Sequence, residues 1–314
     1  MIVALCPEPE NYSAVGLAAI REFARLDALM LGQEELESRI HEYDILFVRL
    51  HSRVTKDLLE KGTRLRAVVS PTTGLNHIDL DTAEAMGIEV FHLRGETEFL
   101  RTVTSTAEHT WALLLSLVRK IPTSAGDVLA GNWRQDVHRG CELRGKRLGI
   151  LGFGRLGQIV AGYGRTFRME VSVYDHRPIE TREGVTVRTS IEELLCQVDV
   201  LSIHVPLNES TAGMIGRDEL ALLPAGAFVV NTSRGELIDE LALIEALDSG
   251  KLGGIAADVV AEEHAINANR LIKYATKHQN VLITPHIGGA TFEAVEKTDL
   301  FLIKRLGEWL ETQQ

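Results

Sequence analysis

The segment Lys146-Arg-Leu-Gly-Ile-Leu-Gly-Phe-Gly-Arg-Leu-Gly157 runs from a short apolar stretch through a glycine-rich turn into a stretch of helical composition, Gln158 to Phe167. Strand, G-x-G-x-x-G turn and helix in that order form the local pattern that holds a dinucleotide pyrophosphate. Gly152 permits the tight turn, Gly154 lets backbone approach the anion, and Gly157 lets helix and strand pack closely. N–H groups at the helix start face the negative charge. Eighteen residues beyond Gly157, Asp175 closes the next apolar run. That is near the ~20-residue spacing expected for a carboxylate that accepts hydrogen bonds from an adenosine ribose. Such a carboxylate repels a 2′-phosphate, so NAD is expected over NADP, and Arg177 is the neighbour able to soften that preference.

Outward from this motif, short apolar runs alternate with helix-period stretches. The first series is Ile2–Leu5, Ala28–Leu31, Ile45–Val48, Ala67–Val69 and Ile88–Phe91. The second is Arg147–Leu151, Glu170–Tyr174, Val200–Val205, Ala227–Asn231, Gly254–Ala257 and Val281–Thr284. Continuous rather than alternating apolar character means sheets covered on both faces, and hence parallel strands flanked by helices. The expected fold class is α/β with two doubly wound parallel-sheet domains. Ser105 to Lys120 reads as a connecting helix with a capping box of Ser105 and Glu108; Ser190 and Glu193 repeat that spacing, and Gly250 sits where a helix C-cap is expected. Helical spacing through Val295, Leu302, Leu306 and Leu310 predicts a tail helix that returns to the first domain. The expected division is residues 1–103 with 288–314 against residues 104–287.

Composition narrows the function classes. At 314 residues with 45% hydrophobic and 25% charged content the chain has material for about two globular domains. A net charge of −11, with no basic run, argues against nucleic acid. No apolar segment nears the ~20 residues needed to span a bilayer. The MIVALCPEPE start lacks a basic leader, and Cys6, Cys141 and Cys196 lack C-x-x-C spacing. Reduced, mostly buried thiols in a cytoplasmic protein are expected, and no metal site.

In the second half, Asn231-Thr-Ser-Arg-Gly235, Gly254-Ile-Ala-Ala-Asp-Val259, Glu262-Glu263 and Thr284-Pro-His-Ile-Gly-Gly289 each follow an apolar strand. Carboxyl ends of parallel strands line the ligand crevice of an open α/β sheet, so Arg234, Asp258, Glu263 and His286 are expected to converge. A 2-oxo acid needs a cation for its carboxylate and a proton donor for its carbonyl; Arg supplies the first, and a His held by a carboxylate the second. Glu262 is the neighbouring alternative to Glu263 as that carboxylate.

With these residues and Thr106-Ala-Glu-His-Thr-Trp-Ala-Leu-Leu-Leu115, the chain closely resembles the D-isomer-specific 2-hydroxyacid dehydrogenase family over nearly its whole length. The resemblance implies a flavodoxin-like substrate domain, a Rossmann NAD-binding domain, NAD as cofactor and a small anionic 2-hydroxy or 2-oxo acid as substrate. Arg234 would hold the substrate carboxylate, His286 would be the acid/base and Glu263 would fix its tautomer. Asp258 would receive the nicotinamide carboxamide, with His204, Pro206, Thr211, Thr232 and Gly288 along the cofactor and Gly154, Arg155 and Leu156 presenting the pyrophosphate loop. A homodimer reaching across through Gly131-Asn-Trp133 is implied as well. Ending at Gln314, the chain is expected to lack the C-terminal regulatory module of some serine-pathway relatives.

Departures from the family pattern point to substrate choice. Pro71-Thr72-Thr73-Gly74 stands where a glycine-hydrophobic-glycine turn is usual, leaving Thr73 and Gly74 as the expected carboxylate cradle and a stiffer loop around them. His51 follows the third strand. The link Leu93–Arg101 is longer than usual, and its Arg94 and Arg101, with Arg53, are candidates for binding a second acidic group. His264 replaces a usual proline. The alternative function is a regulatory, corepressor-like NAD-binding protein with little or no turnover. Formate dehydrogenase and a homocysteine-forming hydrolase share the two-domain plan, but the Glu263 and His286 pairing weighs against both.

Overall fold

The computed structural model describes residues 1–180 and 183–313. The chain divides into two compact units, Met1–Val103 with Ala290–Gln314, and Thr104–Gly289; Gln314 itself lies outside the described residues.

The first unit holds a five-stranded parallel sheet: β1 (Ile2–Cys6), β2 (Ala24–Ala28), β3 (Ile45–Phe47), β4 (Ala67–Ser70) and β5 (Glu89–His92), in the order β2-β1-β3-β4-β5. This is the flavodoxin-like order. Consecutive strand residues enter opposite cores, Ala4 and Cys6 in one and Leu5 in the other, Ile45 and Phe47 in one and Leu46 in the other. That is why these strands read as unbroken apolar runs. The helix Phe292–Thr312 buries Leu302, Ile303, Leu306 and Leu310 in one of these cores.

The second unit holds seven parallel strands: β6 (Arg147–Leu151), β7 (Glu170–Tyr174), β8 (Val185–Val187), β9 (Val200–Ile203), β10 (Ala227–Asn231), β11 (Leu252–Ala257) and β12 (Val281–Ile283). Their order is β12-β11-β10-β9-β6-β7-β8, which is the Rossmann arrangement with one more strand. The order reverses between β6 and β9, so the crevice at their carboxyl ends is the expected ligand position.

Four readings of the sequence change. The second strand is Ala24–Ala28 rather than Ala28–Leu31. Leu29 N and Leu31 N still donate to Cys6 O and Pro7 O, but Pro7 has no N–H to return a bond, so the ladder ends there. The short edge strand β8, with only three residues, escapes periodicity. The connecting helix covers Ser105–Val118; Lys120 turns left-handed at φ 54° and a separate helix, Ile121–Leu129, begins with a proline in its first turn. Its cap differs too: the Thr104 hydroxyl meets Glu108 Oε1 at 2.5 Å, while the buried Ser105 Oγ has no partner among the described residues. By contrast, Ser190 Oγ does accept from Glu193 N, and Gly250 adopts φ 73° just past Glu240–Asp248. Among the thiols only Cys6 is buried, with its pKa pushed up to about 12 by burial; Cys196 is exposed. No described helix is long and apolar enough to cross a membrane.

Candidate active site

In the second unit the glycine turn has the geometry that a dinucleotide site needs. Gly152 lies at φ 92°, and a Cβ there would come within 2.7 Å of the His204 carbonyl; a Cβ on Gly157 would lie 2.1 Å from Gly152 O. Both positions exclude any side chain. Gly154, the N-cap of helix Arg155–Thr166, differs: an added Cβ would meet only Arg177 Nη2, at 3.8 Å, so it fronts open space that an anion can fill. The residues present fit a pyrophosphate. Arg155 is largely withdrawn from water and Leu156 is half-buried beside it.

Asp175 accepts from Phe153 N at 2.9 Å and from Arg177 N at 3.0 Å, with the exposed His176 and Arg177 side chains beside it. Burial opposes its charge, but these N–H groups and the Arg177 guanidinium win, and its carboxyl is held below the usual range. His204 donates to or accepts from Ser202 Oγ at 2.8 Å, while its Nδ1 is buried without a partner among the described residues. Burial lowers its pKa to about 4. The unfolded chain therefore takes up a proton below about pH 6.5 that the folded chain refuses until about pH 4, and stability is lost across that window on acidification. We expect a loss of about 3 kcal/mol from this group, measured as urea stability against pH, and a shallower acid limb in His204→Gln.

Thr211 Oγ1 donates to Pro206 O at 2.7 Å and accepts from Asn208 N, which closes the 204–212 loop; Pro206 is exposed. Thr232 is buried with its hydroxyl 2.9 Å from Thr110 Oγ1.

The chemistry-bearing groups stand at the carboxyl ends of β10, β11 and β12. Asn231 shapes the turn after β10 by accepting from Ser233 N and donating to Arg234 O. Arg234 Nη1 donates to Ser233 O at 2.6 Å, and the guanidinium has no ion-pair partner among the described residues. Burial lowers its pKa, while the charges of Glu263 and Glu236 act in the opposite sense. A half-buried cation without its own anion is poised for an anionic ligand.

His286 Nδ1 lies 2.7 Å from Glu263 Oε2. This pairing puts the Nδ1 proton toward the carboxylate and leaves Nε2 as the atom able to exchange a proton with a ligand. Glu262 takes a left-handed conformation at φ 53° and turns its backbone N toward Glu236, so Glu263 rather than Glu262 is the imidazole's partner. His264, exposed, continues a short 3-10 turn, Glu263–Ala265.

His286 is itself strained at φ 54°, a conformation rarely held by a non-glycine residue unless its surroundings impose it. Asp258 imposes it. Its carbonyl accepts from His286 N at 2.8 Å, and its buried carboxylate takes Thr284 Oγ1 (2.6 Å), Ile287 N (2.9 Å), Gly288 N (2.7 Å) and His109 Nε2 (3.2 Å). These donors hold its pKa down against burial. His109 also reaches Thr284 Oγ1 at 2.9 Å. Sequence reading included His109 in a motif but gave it no role; the signal available was its place in that Thr106–Leu115 motif.

In the first unit, the loop after β4 carries Thr73 and Gly74. The N–H groups of Thr73, Gly74 and Leu75 donate to no group among the described residues. Three successive N–H groups without an acceptor among the described residues leave donors available to an anion. His51 stands in the loop after β3, whose N–H groups at Arg49, His51 and Ser52 all turn onto the buried Glu8 carboxylate at 2.9 to 3.4 Å. Glu8 was not singled out from sequence. Arg49 in turn meets the buried Asp299 at 2.5 Å and lies over the Tyr12 ring. Arg53 is exposed, its backbone paired with Gln33. Arg94 is exposed, and Arg101, also exposed, pairs with Glu98 at 3.7 Å. The long link carrying them is anchored on helix Phe292–Thr312 by a Phe99–Phe301 stack at 3.9 Å and a Glu96–Arg305 ion pair. Among the described residues no group of three or more His, Cys, Asp or Glu could hold a metal ion.

Comparison with known proteins gives this geometry a context. Residues 111–288 match the family profile described as D-isomer specific 2-hydroxyacid dehydrogenase, NAD binding domain. The chain is 37% identical over 289 residues to D-3-phosphoglycerate dehydrogenase of Bacillus subtilis, covering 91% of this chain but 53% of that protein, so it spans about half of that relative's length. It is 34% identical over 299 residues to hydroxypyruvate reductase of Thermotoga maritima, covering 95% of both. D-lactate dehydrogenase from Aquifex aeolicus, solved with NAD and lactic acid, superposes with a TM-score of 0.82 at 30% identity, covering 99% of this chain and 96% of that one. A profile match over more than half the residues and identities above 30% along nearly the full length agree with the strand order and the glycine turn: the chain belongs to the D-isomer specific 2-hydroxyacid dehydrogenase family.

Proposed function

We propose that the protein is an NAD-dependent oxidoreductase that interconverts a D-2-hydroxy acid and its 2-oxo acid. The observation that carries this is the His286–Glu263 pair together with the half-buried Arg234, which has no ion-pair partner among the described residues, all in a domain of the NAD-binding family. The bound nicotinamide supplies the hydride chemistry.

This chain's residues do the rest. His286 Nε2 gives a proton to the keto oxygen during reduction and takes it back during oxidation, with Glu263 holding the ring and balancing the imidazolium. Arg234 binds the carboxylate and polarises the carbonyl. Asp258 Oδ2, with Gly288 N as its donor, keeps acceptor capacity for a carboxamide N–H. Gly152, Gly154, Arg155, Leu156 and Gly157 hold the pyrophosphate and Asp175 the ribose, with His204, Pro206, Thr211 and Thr232 lining the remainder. Thr73 and Gly74 bind the substrate carboxylate through backbone N–H groups, and His51 adds a contact. Arg94 and Arg101, both exposed, bind a second acidic group.

Exposed Ile121, Val128, Leu129 and Trp133 support a homodimer through that face, which the Asp127 carboxylate organises by holding Asn132, Arg134 and His138.

The test is NADH and NADPH oxidation with glyoxylate, pyruvate, hydroxypyruvate, 3-phosphohydroxypyruvate and branched and aromatic 2-oxo acids. Turnover with NADH is expected for at least one acid, and none with any would remove the proposal. If 3-phosphohydroxypyruvate is favoured, Arg94→Ala and Arg101→Ala should raise its KM more than that of hydroxypyruvate; equal effects would remove these arginines from the site.

A further inference from the structure

The loop Pro71 to Asp79 is fastened by a line of side-chain hydrogen bonds whose direction the chemistry fixes. Thr72 Oγ1 lies 2.9 Å from Gly74 O, 2.9 Å from Ser70 Oγ, and Ser70 Oγ lies 3.1 Å from His77 Nε2. A carbonyl only accepts, so the single hydroxyl proton of Thr72 goes to Gly74 O. Thr72 must then accept from Ser70, which spends its own proton there. Ser70 has only a lone pair left for His77, so His77 Nε2 carries a hydrogen. The line runs one way: His77 to Ser70 to Thr72 to Gly74.

Its surroundings hold it in place. Ser70, at the end of β4, is fully buried, and Thr72 and His77 are half-buried. Thr72 N donates to Ser70 O at 2.7 Å, Leu93 N to Thr72 O at 3.0 Å, and Val54 N to His77 O at 2.8 Å. The Gly74 carbonyl is drawn inward by Thr72, while the Thr73, Gly74 and Leu75 N–H groups stay without acceptors among the described residues. Fixing the Gly74 carbonyl fixes the plane of the Gly74–Leu75 peptide, and with it the direction of the Leu75 N–H. Free N–H groups left by that arrangement are what an anion requires.

We propose that this directed His77–Ser70–Thr72–Gly74 line sets the anion-binding conformation of the loop, making His77, Ser70 and Thr72 positioning residues for the substrate carboxylate. The inference rests on the reading of residues 73–75 as a carboxylate site. It goes beyond that reading by assigning substrate affinity to three side chains that turn to the loop itself.

The experiment uses the full chain with saturating NADH. Thr72→Val keeps the β-branched shape and removes the donor, Thr72→Ser keeps the donor, and Ser70→Ala interrupts the line one step back. With hydroxypyruvate, Thr72→Val and Ser70→Ala should each raise KM by about fivefold, with kcat and NADH affinity changed by less than about twofold, and Thr72→Ser should stay near the wild type. KM unmoved in both variants, or kcat falling in place of KM, would overturn the proposal. Should Thr72→Val fail to fold, Ser70→Ala against Thr72→Ser gives the same comparison.

A second readout does not depend on turnover. Oxamate, a carboxylate that is not reduced, is titrated while the backbone amide resonances of Thr73, Gly74 and Leu75 are followed. These should shift in the wild type, with a midpoint about fivefold higher in Ser70→Ala. Shifts without turnover of any 2-oxo acid would defeat the oxidoreductase reading and leave this one standing. No shift in the wild type would defeat this one.

Discussion

His286→Ala is expected to lower kcat for 2-oxo acid reduction by about 1,000-fold, within the range of about 100 to 10,000 typical for a positioned acid/base, and to leave NADH affinity unchanged. The reason is local. Glu263 at 2.7 Å orients the imidazole through Nδ1, so only Nε2 is left to serve a keto oxygen. Its neighbours in the second unit are poor substitutes: Arg234 stays protonated, and the Asp258 carboxylate is turned onto Thr284, His109 and the 287–288 backbone. Kinetics with the best acid of the panel, together with NADH binding by fluorescence, would check it. A kcat within tenfold of the wild type would assign the proton to another group.

Asp258→Ala should destabilise the second unit by about 3 to 5 kcal/mol, because it strands one buried and several partly buried donors at once. Thr284 Oγ1, Ile287 N, Gly288 N and His109 Nε2 all lose an acceptor. His286 also loses the neighbour that holds it at φ 54°, so kcat should fall in parallel. Asp258→Asn is not expected to rescue either property: whichever oxygen becomes an amide, its N–H₂ group faces existing donors. Urea unfolding and steady-state kinetics on both variants give the comparison. A stability change below about 1 kcal/mol in Asp258→Ala would mean the loop is held from elsewhere.

What could be read from the sequence was whatever local pattern encodes. The glycine turn, the continuous apolar strands, the Ser190 cap and the Gly250 cap each depend on neighbours within a few residues. Buried on both faces, strands such as β6 and β10 have no polar positions to interrupt them, and so they stand out. The edge strands lack that signature. β2 alternates polar and apolar residues and β8 has three residues with one neighbouring strand, so the first was displaced and the second unseen.

The candidate site divides the same way. Arg234 and His286 come three residues after apolar strands and Glu263 six residues after one, so that rule could nominate them as candidates. His109 works through Asp258, 149 residues away, and Glu8 through the loop at 49–52, some 41 to 44 residues away. Such partnerships exist only once the sheets have formed. Thr72 shows the opposite difficulty: the sequence indicated a stiffer loop, but not that its hydroxyl turns inward to Gly74 O.

The central claim is that this chain reduces a 2-oxo acid at C2 to a D-hydroxy acid, for which bound NADH would supply the hydride. NADH dideuterated at C4, so that either face delivers label, is supplied with hydroxypyruvate or whichever panel acid turns over fastest, and mass spectrometry with chiral separation of the product tests the claim in one step. One deuteron at C2 of the D isomer is the expected result. Unlabelled product, label elsewhere, or the L isomer would contradict the account.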